Sequence, residues 1–355
     1  MPRPALLALL LCAACAGPPA EDAAAARGDT ASAPPPAPRD TSLLRLERDL
    51  AAIAAEVGEG SLVGIAAIHL ESGERVAVSG DEPFTMMSVY KFPVALAILR
   101  KVERGALGLD QPIPVGPLDL RPGYSPLAER DLGAGGITVP VRELVRLAVA
   151  ESDNTAGDLL FRLAGGGDSI TAGLRRLGIE GVRVDREEGV LAADYYGIAW
   201  TESRAPTRAE VLAARPTIPA ARRREATARF PLDPRDTATP EGMAELLAAF
   251  AAGRTLGPEA TGLLREIMVG TATGPNRLKA LLPPGTVVAH KTGTSGSWEG
   301  VSAAVNDVGI VALPGGGSVA VAVFVRNARG EAAAERAIAR AGHAVYDHWA
   351  GGSGR

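Results

Sequence analysis

The sequence predicts an α/β protein, in the sense of an α+β sandwich. One antiparallel sheet of about five strands is built from both chain ends and flanked by helices, and the middle of the chain forms an all-helical subdomain. Strand-like patterning occurs near both ends, whereas residues 107–252 carry mostly helical patterning broken by Gly and Pro. The cleft between the two parts is the expected site.

The first folded elements begin near Thr41. The next residues predict an amphipathic helix, because apolar side chains recur at helical spacing at Leu44, Leu50, Ile53 and Ala54. Residues 62–70 and 75–79 are strand-like and separated by a turn sequence, so they predict a hairpin.

A helical period starts again at Ser88, and Pro93 lies close enough to that helix start to be tolerated. The rest of the sheet is expected near the C-terminus, ahead of a closing helix over residues 331–349. The strand-like runs there are residues 286–294, 302–313 and 318–325.

The N-terminus reads as an export signal over residues 1–15, with Arg3 before a short apolar run. Its end resembles a bacterial lipobox with Cys15 as the lipidated residue; ordinary cleavage near Ala14 or Ala16 is the alternative. Residues 16–40 form an Ala/Pro-rich linker, and residues 41–355 form the catalytic domain. We therefore expect an exported protein, periplasmic or anchored to the membrane as a lipoprotein.

Composition limits the classes of partner and cofactor that the protein is expected to bind. A net charge of −4 gives no electrostatic case for nucleic acid or an anionic membrane surface. The two cysteines, Cys12 and Cys15, both lie in the leader, so the folded domain is expected to lack disulfides. We expect a monomer without a cofactor. No metal site is expected, because the four histidines show no ligand spacing. They are His69, His290, His343 and His348.

Lysine is scarce, since only four of the 37 basic residues are lysines. Arginine cannot lose its proton in a protein, but a desolvated lysine can. Lys91 and Lys291 fall in motifs, while Lys101 and Lys279 are interpreted as solvated surface residues.

Ser88-Val-Tyr-Lys91 places two side chains on one helical face, three residues apart. A serine hydroxyl needs a neighbouring base to become a good nucleophile, and Lys91 as the free amine could supply it. Alone, this pattern is equally compatible with a helix start that carries an exposed lysine.

Two further motifs follow. Ser152-Asp-Asn154 comes after a helical run, and Lys291-Thr-Gly-Thr294 ends a strand-like one. Separately they could be a helix cap and a strand end. In this order and in these contexts, the three motifs together predict a serine-nucleophile site, in which Gly293 lets a substrate backbone approach the strand edge.

These motifs resemble the penicillin-recognising serine enzymes, and flanking residues resemble class A β-lactamases in particular. The flanking matches are Tyr124-Ser-Pro126, Glu151-Ser-Asp-Asn-Thr155, Gly165-Gly166 and Asp236-Thr-Ala-Thr-Pro240. Residues 88–99 and 290–296 look most like the extended-spectrum branch. The resemblance covers about residues 41–349 and implies hydrolysis of penicillins or cephalosporins through an acyl-serine, which confers resistance.

The resemblance also implies roles. Ser88 attacks the lactam carbonyl, and either Lys91 or Glu188 acting through water takes its proton. Backbone N–H groups of Ser88 and Thr294 hold the oxyanion, and Ser152 passes a proton to the leaving nitrogen. The residues expected to bind substrate are Tyr124, Asn154, Lys291, Thr292, Gly293 and Thr294.

The deacylating base is implied by an Arg-x-Glu pattern at a fixed interval after Ser-Asp-Asn. Counting that interval reaches Glu188, with Glu187 as the alternative. The loop is expected to close through an Arg186–Asp236 ion pair, although a long insertion lies within about residues 192–235. The insertion could act as a lid over the cleft.

Two further features depart from the family. Its usual water-holding asparagine would fall at Ala192. The arginine that assists carboxylate binding is either Arg277 or Arg326.

Two other readings remain open at this level. A cell-wall DD-peptidase forms the same acyl-enzyme on peptides, and a penicillin-binding sensor is acylated without turnover. The chain contains no Gly-x-Ser-x-Gly, which argues against an α/β-hydrolase esterase.

Overall fold

The computed structural model describes residues 41–351. The predicted signal peptide, the linker and the Cys15 lipidation site lie outside the described residues. Within the described part, no helix combines the length and apolarity needed to cross a bilayer.

The described chain alternates between the sheet and the helical part. The helices are α1 Thr41–Ala55, α2 Lys91–Glu103, α3 Val141–Ala150, α4 Asn154–Ala164, α5 Gly166–Arg176, α6 Glu188–Tyr196, α7 Arg208–Ala214, α8 Ala220–Arg229, α9 Pro240–Ala251, α10 Pro258–Val269 and α11 Glu331–Ala350. The strands are β1 Leu62–His69, β2 Arg75–Val78, β3 Phe84–Thr85, β4 Pro112–Val115, β5 Ile137–Pro140, β6 Thr237–Ala238, β7 Val288–Thr294, β8 Ser297–Trp298, β9 Val301–Ala312 and β10 Ser318–Arg329.

The main sheet confirms the sequence prediction. Five strands from both chain ends pair antiparallel in the order β2-β1-β10-β9-β7, and the short β8 adds to β9. The middle of the chain is helical, as expected, apart from two short strand pairs, β3–β6 and β4–β5, which the sequence did not predict. Because β7 is an edge strand, one side of its backbone faces the helical part.

The central strand β10 is buried on both faces, which explains its continuous apolar run. Val321 and Val323 pack into the core formed with α1 and α11. Ala322 and Phe324 pack into the larger core that holds α2 and α9. The sheet therefore separates two cores, and the helical middle covers only one of its faces.

Helix α1 begins at Thr41 as expected, but its buried face differs from the prediction. Leu46, Leu50 and Ile53 are buried, whereas Leu44 is 41% exposed. The spacing of four and three residues from Leu46 matches one helical stripe, and Leu44 falls outside it.

The solvated interpretation of Lys101 and Lys279 is wrong. Both are half-buried, and each ammonium donates to a backbone carbonyl, Lys101 to Leu163 at 2.6 Å and Lys279 to Thr271 at 3.1 Å. Leu163 lies in the last turn of α4, and Thr271 follows the end of α10. Carbonyls at helix C-termini lack intrahelical partners and attract cations.

Candidate active site

Ser88 lies in a single 3₁₀ turn, Met87–Tyr90, that leads into α2. Met87 has φ = 48°, a left-handed conformation that is unfavourable for a residue with a side chain. The Asn306 amide on β9 holds the preceding backbone by donating to the carbonyls of Thr85 and Met86, at 2.9 and 3.0 Å. The strained turn is therefore fixed by the sheet.

Gly293 on β7 lies against the same turn. A Cβ at this position would lie 2.3 Å from the Met86 carbonyl oxygen, so only glycine lets β7 approach the turn. The sequence predicted a glycine that admits substrate. The structure gives it a different task, which is to bring the β7 strand edge beside Ser88.

Lys91 is fully buried, and its ammonium nitrogen connects the motifs. Nζ lies 3.1 Å from Ser88 Oγ, 2.8 Å from the Ser152 carbonyl and 2.5 Å from Asn154 Oδ1. Burial lowers the pKa of Lys91, and the nearby Glu188 carboxylate opposes that shift. A lysine whose pKa is lowered can accept a proton from the serine.

Glu188, not Glu187, reaches this lysine. Glu188 is the first residue of α6, and its Oε1 lies 3.4 Å from Lys91 Nζ. Glu187 turns the other way, with its carboxylate 3.5 Å from the Arg121 guanidinium. Burial raises the pKa of Glu188, while Lys91 lowers it. Asp158 fixes the start of α6 by accepting from the Glu188 N–H at 2.9 Å.

Ser152 and Lys291 form the opposite wall of the site. Lys291 Nζ donates to Ser152 Oγ at 2.9 Å and to the Thr292 carbonyl at 2.8 Å. Ser152 has φ = 61°, which places it in a strained turn between α3 and α4. Burial, with Lys91 as a second cause, lowers the pKa of Lys291 well below its usual value. Its positive charge is therefore less fixed than the sequence suggested.

The Ser-Asp-Asn motif also holds the loop that carries Tyr124. Buried Asp153 accepts from Ser125 Oγ at 2.8 Å and caps α4. The Asn154 N–H donates to the Tyr124 carbonyl at 3.0 Å, and its side-chain amide donates to Pro122 at 2.8 Å. Asn154 thus contacts protein at both ends of its amide. Tyr124 itself is 63% exposed at the rim.

The predicted closing pair is confirmed. Arg186 Nε lies 2.5 Å from Asp236 Oδ2, and both side chains are buried. The same guanidinium contacts Asp194 at 2.8 Å and Asp233 at 3.1 Å. The long segment between Arg186 and Asp236 is therefore anchored at its base. Within it, Ala192 lies one turn after Glu188 on α6.

Comparisons with known proteins agree with this geometry. The Beta-lactamase enzyme family matches residues 45–349. The chain is similar to the extended-spectrum β-lactamase PER-1 of Pseudomonas aeruginosa, with 33% identity over 79% of this chain and 80% of that protein. It is also similar in fold to the crystal structure of a class A β-lactamase from Bacteroides cellulosilyticus, with a TM-score of 0.71 and 27% identity over 87% of this chain and 99% of that one.

The chain belongs to the class A β-lactamase family. The crystal structure of the TLA-1 extended-spectrum β-lactamase is another similar fold, with a TM-score of 0.72 and 28% identity. It covers 87% of this chain and 99% of that chain. The similarity therefore extends over most of the chain and is not limited to the three motifs.

Of the two arginines considered for this class A site, only Arg277 reaches it. Its guanidinium donates to Thr294 Oγ1 at 2.8 Å and pairs with Glu331 and Glu335 at 2.9 and 3.2 Å. The Arg326 guanidinium instead lies 5.5 Å from the centre of the Phe84 ring.

Several residues that shape the site were not predicted. Asn306 and Asp307 lie buried inside the apolar run of β9, where Asp307 pairs with His290 at 2.9 Å. Polar residues inside such a run are a signal that could have marked them. Gly157 gave no comparable signal. A Cβ at Gly157 would lie 2.8 Å from Lys91 Cε, so this helix glycine leaves room for the lysine.

Proposed function

We propose that this class A β-lactamase hydrolyses the ring of penicillins or cephalosporins through an acyl-serine and so confers resistance. One observation carries the proposal. Buried Lys91 Nζ lies 3.1 Å from the nucleophile Ser88 and 3.4 Å from Glu188. A nucleophile in direct contact with a lysine base, and a carboxylate beside that lysine, supply what acylation and deacylation each require.

Acylation begins with attack of Ser88 Oγ on the lactam carbonyl. Lys91 takes the serine proton directly, because burial lowers the pKa of this lysine and so favours the free amine. The oxyanion is held by the backbone N–H groups of Ser88 and Thr294, in a cleft where such donors act strongly. The C–N bond then breaks, and Ser152 passes its hydroxyl proton to the leaving nitrogen while it regains one from the Lys291 ammonium, to which it is hydrogen-bonded.

The substrate carboxylate is bound by Lys291, Thr292 and Thr294, with Arg277 behind Thr294. A carboxylate placed beside Lys291 would raise the pKa of this buried lysine and favour its charged form. Gly293 contributes by bringing the strand edge close, and Tyr124 and Asn154 contact the acyl side of the substrate.

Deacylation depends on Glu188. As the carboxylate, it removes a proton from water, and the resulting hydroxide attacks the Ser88 ester. The ester C–O bond then breaks, and the Ser88 oxygen takes back its proton from the Lys91 ammonium. General-base assistance of this kind contributes about 10²–10⁴-fold. The contact of Glu187 with Arg121 supports Glu188 as the base.

Turnover of a chromogenic cephalosporin tests the proposal. We expect sustained hydrolysis by the wild type and a trapped acyl-enzyme on Ser88 in Glu188→Ala, seen by intact mass. Glu187→Ala is the matched control and should turn over normally. A wild type that stalls after one acylation would instead support the sensor or peptidase reading.

We also propose export, with Cys15 as the lipid-anchored residue of a periplasmic, monomeric enzyme. Support comes from the sequence of the leader, where both cysteines lie. Metabolic labelling with a fatty-acid analogue should mark the wild type and not Cys15→Ser. Labelling of neither protein would favour ordinary signal cleavage, and labelling of both would place the lipid on a residue other than Cys15.

A further inference from the structure

A cavity of about 510 Å³ lies between the segment that follows Glu188 and the β7–β8 turn. Tyr195 and Tyr196 at the end of α6 form one wall, together with Arg215 and Arg223 further along. Residues 295–298 form the facing wall. This volume is in the range of small-molecule sites in proteins.

The cavity adjoins the proposed catalytic site on two sides. Ser295, in its wall, directly follows Thr294 of the substrate-binding strand. Tyr195 packs in one small apolar cluster with Met87, the residue before Ser88. A side chain that extends from an acyl group on Ser88 along β7 would therefore run toward the cavity.

The described lining residues include two arginines and no acidic side chain. Arg223 is 6% exposed, yet neither it nor Arg215 forms an ion pair with any residue in the described part of the chain. The next residue, Arg224, by contrast pairs with Glu299 at 2.8 Å. A buried cation without a carboxylate partner is costly, because its desolvation is not offset.

Aromatic rings hold the Arg223 guanidinium in place. Its carbon lies 4.4 Å from the Tyr195 ring centre, 4.1 Å from Tyr196 and 5.0 Å from Trp298. The guanidinium donates a hydrogen bond to the Tyr195 carbonyl at 2.6 Å. Cation–π contacts of this kind orient a guanidinium without neutralising it.

One more donor at this cavity lacks a partner. The Trp298 indole N–H is buried and makes no hydrogen bond in the described structure, whereas the Tyr195 hydroxyl interacts with the Ser295 and Arg223 side chains. Leaving a buried donor unmet is unfavourable, so an acceptor entering here would gain a hydrogen bond. The buried Arg223, the exposed Arg215, the unmet indole N–H and the aromatic walls together match an anion on an apolar stem.

We propose that this cavity binds the acylamino side chain of β-lactams whose side chain ends in a carboxylate. The inference rests on the proposed function and names the substrate class for it. The apolar part of the side chain packs against Tyr195, Tyr196 and Trp298, and the carboxylate meets Arg215 and Arg223. A side chain that ends in a cation is disfavoured by the same two arginines.

Two cephalosporins that differ only in this group test the proposal: one with a side-chain carboxylate, the other with its methyl ester. The rate of Ser88 acylation, followed by intact mass, and kcat/KM are measured for both. We expect the wild type to prefer the acid at least tenfold. Arg215→Ala should lower acylation by the acid about tenfold and change that by the ester less than twofold. Arg215→Lys should retain most of the preference.

Arg222→Ala is the matched control, because Arg222 is also exposed but lines a different cavity, beside Asp194 and Asp233. It should leave the acid-to-ester ratio unchanged. Equal acylation by acid and ester in the wild type, or equal effects of the Arg215 and Arg222 variants, would overturn the inference while leaving the proposed function intact. If neither compound acylates Ser88, the proposed function fails and this inference fails with it.

Discussion

Gly157→Ala should slow acylation without unfolding the protein. Gly157 lies within α4, where its absent side chain faces Lys91. An added Cβ would lie 2.8 Å from Lys91 Cε and 3.3 Å from Cδ, closer than the 3.4 Å at which ordinary contact begins. The lysine must therefore move by roughly half an ångström or more.

That movement cannot be confined to the carbon chain. Lys91 Nζ is held by Ser88, the Ser152 carbonyl and Asn154 within 3.1 Å, so a shifted side chain stretches these contacts. A misplacement of about 1 Å can cost ~10²-fold in rate. We expect acylation to fall between tenfold and a hundredfold.

Stability should change much less, because the two effects of the substitution oppose each other. Alanine is favoured over glycine within a helix by about 1 kcal/mol, which offsets much of the crowding. Gly173→Ala is the matched control, since Gly173 lies on α5 and its nearest neighbour, an Arg176 nitrogen, is 3.9 Å away.

Single-turnover acylation by a chromogenic cephalosporin, together with urea unfolding, checks the prediction. The Gly173 variant should acylate at the wild-type rate. If Gly157→Ala also acylates at the wild-type rate while remaining folded, the placement of Lys91 does not control the reaction. A variant that unfolds would show instead that α4 cannot absorb the strain.

Two further predictions concern buried polar groups. Tyr90 is buried and its hydroxyl interacts with the Glu188 carboxyl, which lowers the pKa of Glu188, so Tyr90→Phe should raise that pKa and shift the acid limb of the deacylation pH profile to higher pH; an unshifted limb would show that the hydroxyl does not act on Glu188. Burial raises the pKa of Glu188, so the Glu188 carboxyl binds a proton more tightly in the folded state than in the unfolded chain. The contribution of Glu188 to stability therefore declines as pH rises from the unfolded pKa through the folded pKa. The stability of Glu188→Gln relative to wild type should therefore increase over this pH range in urea titrations, and a constant difference would count against a raised pKa.

The sequence predicted the sheet because the information for it is local. Runs of apolar residues at both ends marked four of the five strands within a few residues of their bounds, and β2 followed from the hairpin. The short pairs β3–β6 and β4–β5 were missed because two to four residues carry too little periodicity. The buried stripe of α1 was misassigned at Leu44, since apolar side chains occur on more than one face of that helix.

Local spacing also determined most of the candidate site. Ser88 and Lys91 share one turn, so their partnership could be inferred without a tertiary structure, and the other two motifs identified Ser152 and Lys291 by type and order. The count to Glu188 was sufficient to restrict the base to two neighbouring acids.

Only the tertiary structure chose between alternatives that look the same in sequence. Glu187 and Glu188 are adjacent acids, and what separates them is that one faces Arg121 and the other Lys91. Arg277 and Arg326 are likewise alternatives in sequence, and what separates them is that Arg277 contacts Thr294 while Arg326 lies over the Phe84 ring.

The cavity beside β7 was likewise visible only in the tertiary structure. Its two arginines without an ion-pair partner come from a segment distant in sequence from the β7–β8 turn. No local sequence pattern predicts that this segment and the turn lie side by side. Sequence fixes which groups are present and which of them share a turn or strand. The charge and hydrogen-bond state of each group depends on neighbours brought close by packing, because burial and partner distance set the cost of every unpaired polar group.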